Sequence, residues 1–310
     1  MVAARFCKPW HTDKMNRPES LPTPALYQPL LSRASAGLTH EVAAFDERGR
    51  RSTLHIPAER PLTVYVDKRE LVTLMTLGGA PEALTLGYLR NQRLVRALHD
   101  IVSVQVDWSV DAVAVVTRHG IADVEERTAK KVVTTGCGQG SVFGGLMDEV
   151  DTITLPEDAT LAQSVVYRIV DTIRTQQSIY KQAGSVHGCA LFSNTGELLH
   201  FVEDVGRHNA VDAIAGLMWL EGLQGGDKVF YTTGRLTSEM VIKGAQMGIP
   251  FLLSRSGTTQ MGHKVAQQVG MALLARCSGT HFLLLAGAER LVFEPDLLEP
   301  LNAPRRVPAA

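Results

Sequence analysis

The first half of the chain alternates apolar and polar residues in short runs. This alternation fills residues 38–77 and 101–135, and the sequences DERGR (46–50), PAER (57–60) and VDKRE (66–70) interrupt the first run. Alternation predicts strands with one buried face, and short polar sequences between such runs predict hairpins. We therefore expect an antiparallel sheet in this half of the chain.

Helical periodicity interrupts the strands once in the first half. A helix is predicted to start at Pro81 and Glu82, because proline and acidic residues favour a first turn. Leu84, Tyr88 and Val95 then fall on one face of that helix. The first half is therefore mostly strand with one helix.

A second kind of pattern begins near residue 155. Leu161, Val165, Ile169 and Ile173 recur every fourth position, which predicts one long amphipathic helix that stops at Gly184. After it, two apolar runs flank the hairpin sequence SNTGE.

Residues 207–222 then predict a helix, with four apolar residues on one face. Residues 228–287 follow as strand, helix, strand, helix, strand, and their short unbroken apolar strands are typical of a buried parallel sheet crossed by helices. The four apolar residues of the helical face are Val211, Ile214, Ala215 and Met218.

These patterns indicate an α/β protein of the α+β kind with four parts. Residues 1–36 hold five of the fourteen prolines and predict a flexible tail. Residues 37–150 form a strand-rich region, residues 151–295 an α/β region that binds nucleotide or cofactor, and residues 296–310 a C-terminal tail.

Composition narrows the class of protein. Of the 310 residues, 45% are hydrophobic and 20% charged, which suits an ordinary globular core. The formal net charge of −1 disfavours nucleic acid and anionic membranes as main partners. No apolar run approaches the roughly 20 residues of a membrane span, and the first twenty residues lack a secretory signal, so we expect a cytoplasmic protein.

The four cysteines are widely separated. Cys7, Cys137, Cys189 and Cys277 form no close pair, so neither a disulfide framework nor a zinc site of paired cysteines is indicated. Cys189 sits inside an apolar run and is predicted to pack in the core. Cys137 stands among five glycines in VVTTGCGQGSVFGG (132–145), where backbone N–H groups and exposure would favour a reactive thiolate.

Two loops in the second half carry polar residues at the ends of predicted strands. In a parallel sheet such loops meet at the carboxyl edge, where N–H groups at helix starts face anions. The hydroxyls, arginines and glycines of these loops suit a phosphate ligand. The same hydroxyls could instead cap helices while the arginines are solvated, and spacing alone favours this second interpretation. The residues are Gly234, Arg235, Thr237 and Ser238 in one loop, and Ser254, Arg255, Ser256, Gly257 and Thr258 in the other.

The sequence EDVGRHNAVD is unusually polar for a segment between apolar runs. An N-cap followed by an exposed first helical turn, with Asp204 facing the helix dipole, is the favoured interpretation. A histidine beside a carboxylate could instead shuttle protons or anchor a ligand. The polar residues concerned are Glu203, Asp204, Arg207, His208, Asn209 and Asp212.

Several motifs in register resemble the FdhD/NarQ family of formate dehydrogenase accessory proteins. VEDVGRHNAVD and TTGRLTSEMVIKGAQMGIPFLLSRSGTT carry the likeness in the second half. ERPLTVYVD and LMTLGGAPEALTLGYLRNQRLV match the N-terminal signature of the family. The resemblance runs from Glu41 to Gly287 and implies a C-terminal sheet and helices arranged as in cytidine deaminases.

The resemblance also implies a function. Members of the family take persulfide sulfur from a cysteine desulfurase and pass it to molybdenum or tungsten in bis-molybdopterin guanine dinucleotide, as formate dehydrogenase requires. It places the sulfur on Cys137 and a GDP-like guanine nucleotide end of the cofactor in the C-terminal part. Implied cofactor-binding residues are Arg235, Ser238, Ser254, Arg255, Ser256, Arg276, Cys277, Ser278, Gly279, Thr280 and His281.

One position departs from the family pattern. The family loop carries C-x-x-C, whereas Gly140 stands here in the place of the second cysteine. A single thiol can still carry sulfur. The alternative function is a chaperone that binds the molybdenum cofactor without transferring sulfur, and a third is a plain nucleotide-binding domain. The H-x-E and P-C-x-x-C motifs of deaminases are missing, so we expect no zinc. A two-fold cofactor favours a homodimer.

Overall fold

The computed structural model describes residues 26–121, 132–134 and 150–297, the short middle segment by its backbone alone. Seven strands and one helix occupy the first described segment, and one further strand occupies the second. In chain order they are β1 (Leu30–Leu31), β2 (Thr39–Phe45), β3 (Arg51–Pro57), β4 (Arg60–Val66), β5 (Arg69–Thr76), α1 (Pro81–Asn91), β6 (Ile101–Asp107), β7 (Ala112–Thr117) and β8 (Val132–Thr134).

The N-terminal sheet contains six strands in the order β1-β6-β7-β4-β5-β8. Strands β4 and β5 form a hairpin through Asp67 and Lys68, which both have positive φ, as a two-residue type I′ turn requires. Alternate residues of these strands are buried, which confirms the predicted pattern. The sheet is mixed, because the β1–β6, β4–β7 and β5–β8 pairs are parallel.

Two of the three predicted hairpins are confirmed and one is wrong. The 46–50 turn joins β2 to β3, and the 66–70 turn joins β4 to β5. At 57–60 the chain changes sheets instead: β3 pairs with β2 in a separate two-stranded sheet, and β4 pairs with β5 and β7. Pro57 is the last residue of β3 and lies opposite Thr39, and after Ala58 N–H donates to Leu38 O at 2.9 Å the chain leaves this pair for β4. The expectation of a purely antiparallel sheet is corrected to a mixed one.

The C-terminal part is built around a second six-stranded sheet. Its elements share one compact α/β arrangement with the helices on both faces. They are β9 (Leu161–Ala162), α2 (Gln163–Thr175), α3 (Ile179–Ala183), β10 (His187–Ser193), β11 (Leu198–Asp204), α4 (Arg207–Leu220), β12 (Lys228–Thr232), α5 (Ser238–Gln246), β13 (Phe251–Ser254), α6 (Gln260–Gln268), β14 (Ala272–Ser278), β15 (His281–Ala286) and β16 (Leu291–Val292).

The strand order of this sheet is β11-β10-β12-β13-β14-β15. Its three central strands β12, β13 and β14 are parallel, and α5 and α6 connect them, which confirms the predicted alternation of strand and helix. The last predicted strand is in fact two, because the chain turns at Gly279 and returns as β15. The hairpin predicted at SNTGE joins β10 and β11.

The long helix predicted between Leu161 and Gly184 is two helices. α2 ends at Thr175, and α3 is capped by the Ser178 hydroxyl, which accepts a hydrogen bond from the Lys181 N–H. Gly184 ends α3 with φ of 68°, so the predicted stop is right but belongs to the second helix. Leu161 belongs to neither helix. It lies in the extended strand β9, which precedes α2 and pairs with β16.

Helices α1 and α4 begin as predicted and cross at two glycines. A Cβ on Gly87 would lie 1.6 Å from the carbonyl oxygen of Asp212, and one on Gly216 would lie 1.9 Å from that of Ala83. Only glycine permits such a close approach of two helix backbones. This crossing joins the N-terminal sheet to the C-terminal one. α1 ends at Asn91, so Val95 lies beyond the helix, although it is buried.

The described residues form three hydrophobic clusters. One lies under the N-terminal sheet with α1, and the other two lie on opposite faces of the C-terminal sheet, against α4, α5 and α6 on one side and α2 on the other. Both faces of this sheet are therefore covered, as expected for parallel strands. None of the helices in the described ranges is long and apolar enough to cross a bilayer.

Candidate functional site

The ends of four strands meet at one edge of the C-terminal sheet. β11, β12, β13 and β14 all run in the same direction, and β10 runs against β11 and β12. This edge therefore carries the last residues of β11, β12 and β13, which are Asp204, Thr232 and Ser254, together with His187 at the start of β10. The loops after β12 and β13 are joined here, since Leu236 N–H donates to Gly257 O at 3.0 Å. Open α/β sheets bind ligands at such edges.

A cavity of about 660 Å³ opens at this edge. Its wall combines the loop after β13, the hairpin between β14 and β15, the start of β10, and α2 and α3 on the far side. It brings together five of the eleven cofactor-binding residues that the family resemblance implies. These are Arg255, Ser256, Cys277, Ser278 and Gly279.

The other candidate residues lie around this cavity rather than in its wall. Arg235 is exposed in the loop after β12, Ser238 is the first residue of α5, and Ser254 is fully buried. The Ser254 hydroxyl donates to Gly234 O at 2.6 Å and accepts from Ser256 N–H at 2.8 Å, which holds the two loops together.

The remaining three candidates occupy the hairpin between β14 and β15. Arg276, Thr280 and His281 are exposed, and Arg276 has positive φ and donates its N–H to Ser256 O at 2.8 Å. The alternative in which the loop hydroxyls cap helices holds for Thr259, which accepts from Gly262 N–H. Thr237 occupies the N-cap of α5 but makes no side-chain cap bond.

The two described cysteines have protonated thiols. Burial raises the pKa of Cys189 to about 12, and its thiol contacts the Thr232 hydroxyl at 3.4 Å, which confirms the predicted core position. Burial also raises the pKa of Cys277 to about 11, although this residue contributes to the cavity wall. Cys137, the predicted reactive thiol, lies outside the described residues, as does Cys7.

Asp204 connects the two sheets. Its Oδ2 accepts from the Thr76 hydroxyl and, at 3.0 Å, from Leu77 N–H at the end of β5, while its Oδ1 accepts from Gly206 N–H and Asn209 Nδ2. Burial raises the pKa of Asp204, and these hydrogen bonds oppose that effect. The Asp204 side chain therefore links the end of β5 to the start of α4 through hydrogen bonds.

The first turn of α4 is buried, which corrects the expectation of an exposed turn. Arg207 and His208 are only 6% and 2% exposed. They are covered because α4 crosses α1 and its start faces the loop after β12. Asp204 does not act as the N-cap side chain, since the N-cap residue is Gly206.

A network of buried charged side chains lies between α1, α4 and α5. Asp212 Oδ2 contacts Lys243 Nζ at 2.9 Å, and its Oδ1 accepts from Asn91 Nδ2 at 2.7 Å. Glu239 Oε1 lies 3.7 Å from Lys243 Nζ and 3.4 Å from His208 Nδ1. The sequence offers no signal for Lys243, Glu239 or Asn91, because each stands in an ordinary helical pattern.

Burial dominates the protonation of this network. Burial, with the positive charges of Lys243 and Arg207 as smaller causes, lowers the pKa of His208 to about 2. Burial raises the pKa of Glu239, and Lys243 opposes that effect. His208 is therefore neutral at neutral pH, and its Nδ1 faces the Glu239 carboxyl group.

We expect His208 to make the protein less stable in mild acid. Its folded pKa lies below its unfolded pKa, so the unfolded chain binds the extra proton and stability falls as pH drops below about 6.5. Between pH 6 and 5, the free energy of unfolding of the native protein should fall relative to that of His208→Gln by about 1.2 kcal/mol. Urea unfolding at each pH measures this difference, and parallel pH curves would contradict it.

A second cavity of about 770 Å³ lies on the other side of α3. Its wall includes the loop between β5 and α1, and it shares Ser178, Lys181, Phe201 and Glu203 with the first cavity. Glu203 Oε2 and Oε1 accept the N–H groups of Ile179 and Tyr180, so this carboxylate fixes the start of α3. α3 thus separates two cavities, one at the edge of each sheet.

Strand β8 is the nearest described segment to Cys137. It runs parallel to β5 with Thr134 opposite Leu74, so it ends at the edge where Thr76 meets Asp204. No group of three or more His, Cys, Asp or Glu side chains suited to a metal ion occurs in the parts of the chain that the structure describes.

Comparison with known proteins gives a consistent result. The FdhD/NarQ family model matches residues 57–292. The sulfur carrier protein FdhD of Listeria monocytogenes is 27% identical over 238 residues, which cover 76% of this chain and 91% of that protein. The protein of the same name from Saccharolobus solfataricus is 28% identical over 252 residues, covering 79% and 94%.

One solved structure is similar over most of the chain. It is the crystal structure of a protein from Desulfotalea psychrophila assigned as a formate dehydrogenase accessory protein. The two agree with a TM-score of 0.65 and 25% sequence identity, over 82% of this chain and 98% of the other. The similarity supports the mixed α/β architecture described above.

Proposed function

This chain belongs to the FdhD/NarQ family, and from that premise we propose that it is a sulfur carrier that serves a formate dehydrogenase. In this proposal the Cys137 thiolate attacks the outer sulfur of a persulfide on a cysteine desulfurase. The S–S bond of the donor breaks, the desulfurase cysteine leaves as a thiolate, and Cys137 holds the transferred sulfur as a persulfide. The acceptor is the metal of bis-molybdopterin guanine dinucleotide, molybdenum or tungsten, which is a substrate here.

The chemistry of the other thiols supports the choice of Cys137. A thiolate is the nucleophile in sulfur exchange, so a carrier cysteine needs an accessible thiol of ordinary or lowered pKa. Cys189 and Cys277 are buried and their pKa values are raised to about 12 and about 11. Cys277 therefore does not replace the second cysteine that Gly140 displaces. This elimination of two thiols is the observation that carries the proposal.

The course of β8 is consistent with this choice. Covalent geometry keeps the Cα of Cys137 within about 11 Å of the Cα of Thr134. Thr134 lies opposite Leu74, two residues before Thr76, whose hydroxyl binds Asp204 at the edge of the C-terminal sheet. The described chain that precedes Cys137 in the sequence therefore ends near the edge where Asp204 lies.

The cavity of about 660 Å³ supports the second half of the proposal. Its volume falls within the roughly 300–1,000 Å³ of small-molecule sites. The exposed Arg255 guanidinium and the Ser256 hydroxyl suit a diphosphate, and Tyr231 and Phe201 offer aromatic surface. One such cavity accommodates one guanine nucleotide end, so we propose that a second copy of the chain binds the other end.

The experiment that tests the proposal is intact-protein mass spectrometry after anaerobic incubation with a cysteine desulfurase and L-cysteine. We expect a mass gain of one sulfur atom, and peptide mapping should place it on Cys137. The absence of a gain, or a gain confined to Cys7 or Cys277, would contradict the proposal. Retention of the bis-guanylyl cofactor without any sulfur gain would instead favour the cofactor chaperone.

A further inference from the structure

Two arginines of this protein are equally buried but differ in their partners. Arg290 and Arg207 are both 6% exposed. The Arg290 guanidinium donates to Gly270 O at 2.6 Å, to Pro156 O at 2.5 Å and to Ala159 O at 3.3 Å, so it is a structural cross-link. Arg207 Nε has no hydrogen-bond partner, and Arg207 lies in no ion pair among the described residues. A buried nitrogen without a hydrogen-bond partner is costly, so Arg207 is a candidate for binding a ligand.

Two of the carboxylates near Arg207 bind other donors, and a third, Glu239, makes only longer contacts. Asp204 accepts from the Thr76 hydroxyl and from three N–H groups, and Asp212 binds Lys243 and Asn91. Glu239 lies 3.7 Å from Lys243 and 3.4 Å from His208. The charge of Arg207 works against the raised pKa of Glu239, but none of these three carboxylates forms an ion pair with Arg207.

The surroundings of Arg207 favour an anion. Arg207 is the first residue of α4, where free N–H groups and the helix dipole attract negative charge. Its aliphatic part passes over Gly234, since a Cβ there would lie 3.0 Å from Arg207 Cδ. Burial and the charges of Arg207 and Arg235 lower the pKa of His187, so this neighbour stays uncharged at neutral pH.

We propose that Arg207 and the start of α4 bind anionic sulfur, namely the terminal sulfur of a persulfide, with hydrosulfide as its smallest form. The identity of the anion rests on the proposed function; the existence of an anion site does not. Guanidinium is a delocalised, weakly hydrated cation, and it suits a large, weakly hydrated anion better than an ammonium group does. Arg207 therefore has a positioning role that Arg255, exposed in the wall of the 660 Å³ cavity, does not share.

The geometry gives this site a place in sulfur transfer. Thr76, beside the end of β8, is joined through Asp204 to Gly206, and Arg207 follows directly. A persulfide that contacts Arg207 would be held in its anionic, nucleophilic form. The charge-assisted contact would stabilise this form without forming a covalent bond.

The test is calorimetric titration of sodium hydrosulfide, without oxygen, into the full chain carrying Cys137→Ser. That background removes the proposed carrier thiol, so failure of sulfur carriage cannot be mistaken for failure of the anion site. We expect saturable binding, weakened at least about tenfold by a further Arg207→Met substitution, as for loss of a charge-assisted hydrogen bond. Arg207→Lys should fall between the two.

Arg290→Met is the matched control. It should leave hydrosulfide affinity unchanged and lower the urea midpoint, whereas Arg207→Met should not lower that midpoint, because it removes an unpaired buried charge. Absence of saturable binding, or equal affinity with and without Arg207, would overturn the proposal. If Arg207→Met does not fold, the test is a crystal of Cys137→Ser soaked in bromide. An anomalous bromide peak at Arg207 supports the proposal, and the absence of that peak overturns it.

Discussion

Replacement of Cys137 by serine is expected to reduce formate dehydrogenase activity to background in cells that depend on this protein for activation of the enzyme. A serine hydroxyl does not form a persulfide, and the two described cysteines are buried with raised pKa values. No second cysteine stands nearby in the sequence, because Gly140 occupies its place. A single substitution should therefore remove sulfur transfer completely. The measurement is formate oxidation in extracts of cells in which the native gene is replaced by each variant.

Cys7→Ser and Arg255→Ala complete that experiment. Cys7 precedes the matched family region, so its replacement should preserve activity. Arg255→Ala should lower activity through weaker binding of the cofactor. Full activity of Cys137→Ser together with loss in Arg255→Ala would refute the carrier role and favour a cofactor chaperone.

Lys243→Met is expected to destabilise the fold by about 3–5 kcal/mol, because it leaves Asp212 buried without its cation. The Lys243 and Asp212 side chains are both fully buried, 2.9 Å apart, and Glu239 adds a second carboxyl group nearby. Urea unfolding at neutral pH measures the loss. A loss below about 1 kcal/mol would show that the pair contributes as little as a surface ion pair.

Two variants control this prediction. Lys243→Met combined with Asp212→Asn removes both charges of the fully buried pair, and it should be more stable than Lys243→Met alone because Asp212 is no longer left as a buried carboxylate without its cation. Lys228→Met breaks the pair with the exposed Asp227 and should change stability by less than about 1 kcal/mol. The difference between the two lysines isolates the effect of burial.

Much of the fold could be predicted because local patterns dictated it. The alternation in β4 and β5, the proline at the start of α1 and the apolar face of α4 all gave the right elements. The break between α2 and α3 was missed because the helix was extended from Ile173, where the period of four ends, to the glycine stop at Gly184. The change of sheet after β3 depends on long-range pairing, which local pattern does not contain. The likeness of the C-terminal sheet to cytidine deaminases stays a prediction.

The site was only partly predictable for the same reason. Polar loops were predicted to meet at the carboxyl edge of the parallel strands. Arg255 and Ser256 do lie there, and they line one cavity together with residues 277–279. The burial of Arg207 and His208 arises from the crossing of α4 over α1, more than a hundred residues away in the chain. The glycines at that crossing were the available signal, since Gly87 and Gly216 stand inside helices where glycine is unfavourable.

The contact between α1 and α4 also bears on how the chain folds during synthesis. Asn91 and Asp212, which bond across this contact, are separated by 121 positions. At roughly 5–20 residues per second, the ribosome delivers Asp212 about 6–24 s after Asn91. During that interval the apolar side chains of α1 lack their partner helix. The nascent N-terminal half should therefore be a client of chaperones until α4 emerges.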